Sequence, residues 1–303
     1  MFGLGSLAQT GWGRTVVIIS ADTLTSTVRT MSGAKSIVAA NMPDVLIEHF
    51  LLDPTPQGRQ LQLDSIRKRK PDILLTIGST ATQAARDNFP NTPIVFSSVM
   101  YPVISGFVKS MNAPGGNMTG ASLTITVDVQ FKYFQRIIPS LKNIGVLYSN
   151  NTASLIPPAR VVANELGLRL TAVPVNSDKE LPAALDSVVN SCDGIWSIAD
   201  PNLFSPQSTK YILLHAIRNG KPFMGFSRNV VESGALFALD FDYKAIGRQA
   251  GNAVAQVLNG ARPSDIPVTT PDIIWFHYNE NTAKHLRISV PADLVAVAKE
   301  VYR

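Results

Sequence analysis

The 303-residue chain has a single cysteine, Cys192, which excludes an intramolecular disulfide and any thiolate metal cluster. Beside a predicted strand, that thiol reads as a small buried hydrophobe. The four histidines (His49, His215, His277 and His285) show neither HxxxH nor HxH spacing, so no metal site is expected, and no cofactor either. Charge is also scarce: Asp, Glu, Lys and Arg make up 16% of the chain, against about 25% in ordinary globular proteins. With 45% hydrophobic residues, this composition excludes a disordered chain, which needs low hydrophobicity and high net charge. The net charge of +5 is scattered. Its densest run, Arg67-Lys68-Arg69-Lys70, closes a predicted helix, where cations suit the dipole, so no nucleic-acid surface is expected. The longest charge-free stretches, 88–108 and 110–127, are broken by Pro90, Pro93, Pro102 and Pro114 and give no membrane span. Enzyme signatures are missing too: there is no GxGxxG after a strand, no GxxxxGK[ST], no GxSxG elbow and no HExxH.

What is present is a repeated grammar. Val16-Val17-Ile18-Ile19 is a short β-branched run, as expected of a strand buried on both faces. A polar segment, Ser20-Ala21-Asp22-Thr23, leads to a helix pattern with Val28, Met31, Ala34 and Ile37 on one face. The same order recurs with strands at 45–52, 73–77 and 94–96 and helices at 58–69 and 80–88. After Pro114-Gly115-Gly116-Asn117 an extended piece, 118–125, precedes a second series. It has helices at 129–138, 155–166, 181–189 and 209–218 and strands at 144–148, 169–175, 194–198 and 222–226. The tail holds extended pieces at 235–241 and 273–277, a strong helix at 244–259 and a last helix at 293–301. Alternation of this kind predicts parallel sheets with right-handed crossovers. The expected fold class is α/β, with two similar halves and a returning tail that suggest two lobes joined by several crossing strands. Lobe 1 is expected to comprise 14–120 with 242–270, and lobe 2 to comprise 121–241 with 271–303. Residues 1–13, apolar and glycine-rich but without a basic leading region, read as a signal remnant or a disordered start.

Ligands of parallel α/β sheets bind where strands end and helices begin. The loops at those positions are rich in small hydroxyl and amide side chains, which suits a small polar ligand. Gly78-Ser79-Thr80-Ala81 joins a strand to a helix and offers free backbone N–H groups beside a hydroxyl N-cap. Either the hydroxyls bind a carboxylate there, or they only cap the helix. Ser98 and Asn150 lie in equivalent loops. Asp200 ends a strand, and Asp242 follows Phe241; each is a candidate partner for a ligand ammonium, with N-capping as the alternative for Asp242. Tyr101, Tyr148 and Phe226 stand where a ring could stack on a flat ligand group, whereas Trp196, inside a strand, reads as core.

Pro114-Gly115-Gly116-Asn117-Met118-Thr119-Gly120 resembles the PGGNxTG motif of the substrate-binding proteins of ABC transporters, including the tryptophan-binding TrpX-like group. Further segments resemble that family in order: 78–85, 93–96, 143–148, Ser233-Gly234-Ala235-Leu236, Asp242-Tyr243, 246–250 and Ile266-Pro267-Val268. The resemblance implies a type I periplasmic-binding-protein fold, with two Rossmann-like lobes joined by three crossing segments and a ligand trapped between the lobes by hinge closure. It also implies a periplasmic or membrane-anchored extracellular receptor, expected to be monomeric, that serves an ABC permease. By position, the family's pocket falls on Ser79, Thr80, Ser98, Tyr148, Asp200 and Asp242. Two departures stand out: Tyr101-Pro102-Val103 replaces Asp-Pro-Val, and Asp240 replaces a glycine. The expected activity is non-enzymatic binding of a small polar metabolite, preferably an amino acid or related carboxylate. The alternatives are a ligand-sensing module for a signalling partner and a two-lobed transferase.

Overall fold

The β-branched run at the start of the chain forms the central strand of a sheet. In the computed structural model, which describes residues 13–303, it is β1 (Thr15–Ser20), followed by α1 (Thr25–Asn41), β2 (Leu46–Leu51), α2 (Pro56–Lys68), β3 (Ile73–Ile77), α3 (Ser79–Asn88), β4 (Ile94–Val99) and β5 (Met118–Ser122). The expectation for residues 1–13 falls, Gly13 apart, outside the described residues. The second series runs α4 (Val127–Ile137), β6 (Asn143–Tyr148), α5 (Ile156–Glu165), β7 (Arg169–Pro174), α6 (Leu181–Ser191) and β8 (Gly194–Trp196). It continues through α7 (Pro206–Arg218), β9 (Phe223–Gly225), α8 (Arg228–Glu232) and β10 (Phe237–Phe241). Then come α9 (Tyr243–Leu258), β11 (Ile274–Asn279), α10 (Glu280–Leu286), α11 (Ala292–Ala296) and β12 (Glu300–Tyr302).

These elements form two compact units: one of residues up to Thr124 with Tyr243–Asp272, the other of Ile125–Asp242 with Ile273–Arg303. In the first unit the sheet order is β2-β1-β3-β4-β5, and every pair is parallel. Strand residues alternate between two cores. Val16, Ile18, Ile73 and Leu75 pack with Ala34, Val38, Ile246, Ala250 and Val254 from α1 and α9. On the other face, Val17, Ile19 and Leu74 pack with Leu63 and Ile66 from α2 and with Ala81 and Ala85 from α3. Burial on both faces is why β1 lacks a polar alternation. The second unit has the order β12-β11-β10-β9-β8-β6-β7, parallel except where β11 runs against β10. Trp196 lies in the interior at 2% exposure, and its Nε1 donates to Gln130 at 2.7 Å.

The tail departs from expectation. Instead of one helix at 293–301, α11 stops at Ala296 and residues 300–302 pair in parallel with β11. Lys299 starts this ladder by donating its N–H to the Phe276 carbonyl at 2.7 Å. A pairing this remote in sequence overrides local helix propensity. Two short helices, α8 and α10, are also additions; α10 begins on the Asn279 side chain, which accepts from the Thr282 N–H at 2.9 Å.

The return of the chain into the first unit depends on close backbone packing. Gly33 of α1 and Gly247 and Gly251 of α9 line the contact between the two helices. A Cβ on Gly247 would overlap the Thr30 carbonyl, one on Gly33 would overlap the Lys244 carbonyl, and one on Gly251 would sit 2.8 Å from Ile37 Cβ. The two helices therefore touch main chain to main chain, and neither backbone can retreat without disturbing the sheet below. Gly247→Ala is expected to lower stability by about 1–3 kcal/mol, the usual range for overpacking. Gly116→Ala, where an added Cβ meets nothing within 4 Å, should stay within about 0.5 kcal/mol. Urea midpoints of the two variants check this; equal midpoints would contradict the packing account.

Candidate functional site

In the first unit, the β3–α3 turn shows why the sequence reads Gly-Ser-Thr. The N-cap of α3 is Gly78, with φ +84°, a left-handed conformation that favours glycine. The expected hydroxyl N-cap is thus corrected: Ser79 and Thr80 are the first two helical residues, both are exposed, and among the described residues no side-chain hydrogen bond caps the helix. The leading N–H groups of a helix have no intrahelical acceptor, so here they remain available beside two hydroxyls. Buried hydrogen bonds hold the turn. Thr82 Oγ1 donates to the Gly78 carbonyl at 2.8 Å and lies 2.8 Å from Thr76 Oγ1, and the Gly78 N–H donates to the Ser97 carbonyl at 2.8 Å. Ala81 is fully buried, so its contribution is limited to its backbone.

That last bond joins the turn to the end of β4, where Ser98 (φ +57°) and Tyr101 (φ +52°) both adopt left-handed conformations that are unusual for residues bearing a Cβ. Non-glycine residues in this region concentrate at binding and switch sites. The Ser98 hydroxyl is 2.9 Å from Thr30 Oγ1, and the Tyr101 N–H donates to Thr124 Oγ1 at 3.1 Å. Burial pushes the Tyr101 phenol up to about 12, which keeps it neutral. Ser97 Oγ, buried next to Ser98, has no hydrogen-bond partner among the described residues. Ser79 and Thr80 also line an open groove of about 680 Å³ with Arg59, Gln83 and Phe107.

In the second unit, Asp200 is the organising group. Its side chain is almost fully buried at 1% exposure. Oδ2 accepts from the Ser149 N–H at 3.0 Å and from Thr152 Oγ1 at 2.6 Å, and Oδ1 accepts from the Asn202 N–H at 3.0 Å. Desolvation alone would raise its pKa, but these donors outweigh it and hold the carboxyl below the usual range. Its hydrogen-bonding needs are therefore met within the chain, so a ligand ammonium is not required to stabilise it. The Asp200 carbonyl accepts from the Phe204 N–H at 2.9 Å, and the Phe204 ring meets Phe226 edge-on at 5.1 Å, so Asp200 and Phe226 belong to one assembly. Asn150 is exposed and lines a pocket of about 320 Å³ with Ser149, Asn176, Asp178 and Asn202. Tyr148 is half-buried at the end of β6, and half-buried Asp242 is the last residue of the second unit's first segment.

Sequence reasoning missed Thr30, Thr124 and Thr152, the hydroxyls that hold Ser98, Tyr101 and Asp200. Thr152 stood in a strand-end loop already noted, whereas Thr30 is 68 residues from Ser98 and carried no local signal. Because the folded pKa of Asp200 is depressed, its stabilisation is present above about 3.8, the unfolded aspartate value, and is lost as pH falls through the folded one. Asp200→Asn is expected to destabilise the protein by about 2–3 kcal/mol at neutral pH, as loss of charged acceptor bonds does. It should also flatten the acid limb of a urea-midpoint profile; an unchanged limb would count against this role.

The chain matches the ABC transporter substrate binding protein family over residues 55–302. A tyrosine-binding protein of Clostridioides difficile is 30% identical over 220 residues, 72% of this chain. The chain spans 63% of the length of that curated relative, and 63% of an uncharacterised Rickettsia prowazekii protein that is 23% identical over 68% of this chain. Among solved structures, the ligand-free, open form of a substrate binding protein with adhesive properties from Clostridium difficile superposes with a TM-score of 0.80 at 23% identity, covering 95% of this chain and 99% of that one. An ABC domain from Streptococcus pneumonia in complex with L-Trp gives 0.68 at 22% identity, with the same coverage of both chains. These similarities show the type I periplasmic-binding-protein fold. With the family match extending over most of its length, the chain belongs to the ABC transporter substrate binding proteins.

Proposed function

We propose that this protein is an extracytoplasmic solute receptor of an ABC importer that binds a free amino acid or related carboxylate and releases it unchanged. The observation that carries this reading is the start of α3, where a glycine N-cap leaves the first N–H groups uncapped beside the exposed hydroxyls of Ser79 and Thr80. A carboxylate suits such a place without a lysine, since the helix dipole and several N–H donors share its charge. The left-handed Ser98, near the end of β4, and Tyr101, just beyond it, follow Ser97, whose carbonyl is bonded to the same turn.

In the second unit, the proposed contacts are Asn150, Tyr148 and Phe226, with Asp200 fixing the loop that bears Asn150. Asp242, the remaining carboxylate, takes the ammonium in this reading. An aromatic amino acid is the first candidate, because the Clostridioides relative is named for tyrosine and a structural neighbour was solved with L-Trp. The hinge closure expected from the resemblance, delivery to a permease and membrane anchoring belong to the same proposal; among the described residues no helix is long and apolar enough to cross a membrane.

Titration calorimetry with L-tyrosine, L-tryptophan and their methyl esters tests the carboxylate assignment. The free acid should bind and the ester should lose roughly tenfold or more in affinity, the scale of one hydrogen bond to a charged group. Thr80→Val should weaken the acid by a similar factor while leaving the ester unchanged. Equal affinity for acid and ester would reject the assignment, and chemical conversion of the ligand on incubation would reject the receptor reading.

A further inference from the structure

We propose that His277 is an acid-operated latch that lets go of the C-terminal strand β12. The register places His277 of β11 opposite Ala238 of β10 on one side and Glu300 of β12 on the other. Its side chain is fully buried, and among the described residues neither ring nitrogen has a hydrogen-bond partner. Nδ1 lies 3.6 Å from Glu300 Oε2, too far for a hydrogen bond and close enough to feel its charge.

The groups around the ring decide what a proton does there. β10 contributes Asp240, and the last strand brings Glu300 and Tyr302, preceded by Lys299. From α8 comes Arg228, with Glu232 at the end of the same helix. Glu300 is already engaged: it accepts from Arg228 Nη1 at 3.1 Å and from the Tyr302 hydroxyl at 2.6 Å. Lys299 Nζ sits 4.6 Å from the centre of the Trp275 ring. A protonated imidazole would therefore be a desolvated cation sharing one carboxylate with an arginine. Burial holds the His277 pKa below its ordinary value, against the opposing pull of Asp240 and Glu300. Burial also raises the Asp240 carboxyl, so acid weakens that counter-charge as well.

Detachment of β12 offers the ring an alternative. The strand is three half-buried residues at the edge of the sheet, so lifting it wets the ring at the expense of few contacts. With the docked pKa depressed, the undocked state binds more protons below about pH 6.5, the ordinary histidine value. Docking is insensitive to pH above that value and weakens as pH falls below it.

Hydrogen exchange read by mass spectrometry on the C-terminal peptide of the full chain, corrected for intrinsic rates, tests this directly. From about pH 7.5 to about pH 5.5, protection of β12 should fall by at least about threefold in the native protein and stay constant in His277→Leu. His49 also titrates low, but it lies in the other unit and does not enter the local readout. Should the leucine variant fail to fold, the His277 ring resonance of the native protein gives the answer by NMR titration. A midpoint below about 6.5 supports the latch. A midpoint at or above it, pH-independent protection, or an unchanged pH response in the variant would overturn it.

Discussion

The contact between α1 and α9 is the constraint on which the first unit depends. The chain reaches α9 after passing through the other unit, more than a hundred residues after β5, yet α9 packs on one sheet face. It can do so only because Gly33, Gly247 and Gly251 let two backbones meet, bringing Ile246, Ala250 and Val254 down onto β1 and β3. A larger side chain there would lift the helix and open the core it closes. The loops at the carboxyl ends of β1, β3 and β4 are held in place by that same sheet, so the candidate binding residues depend on it.

Those loops differ in how their polar groups are satisfied, and the difference separates scaffold from contact. Asp22 accepts from the Leu24 N–H and the Thr27 hydroxyl, and Asp200 from three donors; both carboxylates fix loop shape. Around α3 the pattern is reversed. The helix begins on a glycine, its first N–H groups meet no side-chain acceptor among the described residues, and Ser79 and Thr80 are exposed. Donors left available on a rigid element are what a carboxylate-binding protein needs, since little ordering remains when the ligand arrives.

Much of the architecture was legible in the chain. Continuous apolar runs such as Val16–Ile19 mark strands covered on both sides, and the helices between them fall within a few residues of the expected positions. The strand-end loops that carry Ser79, Ser98, Asn150 and Asp200 follow from the same pattern. Other features were not legible for identifiable reasons. β12 is defined by its pairing with β11, and its own three residues carry no strand signal. Thr30 reaches Ser98 from the middle of a helix, where nothing local distinguishes it from any other helical threonine. Asp200 read from the sequence as a partner for a ligand ammonium, and its role in holding the loop emerged only when its donors were located.

The sequence alone determined the α/β class, the two series of strands and helices, the hydroxyl-rich turns and, through the PGGNMTG segment and its companions, the family. These follow from local periodicity and residue chemistry, which do not depend on distant partners. The tertiary structure decided which polar groups are already satisfied, which helices touch backbone to backbone, and that a histidine lies buried beside Glu300 with no hydrogen bond among the described residues. Each of those outcomes depends on residues far apart in the chain being brought within a few ångströms, a distance that no local pattern encodes.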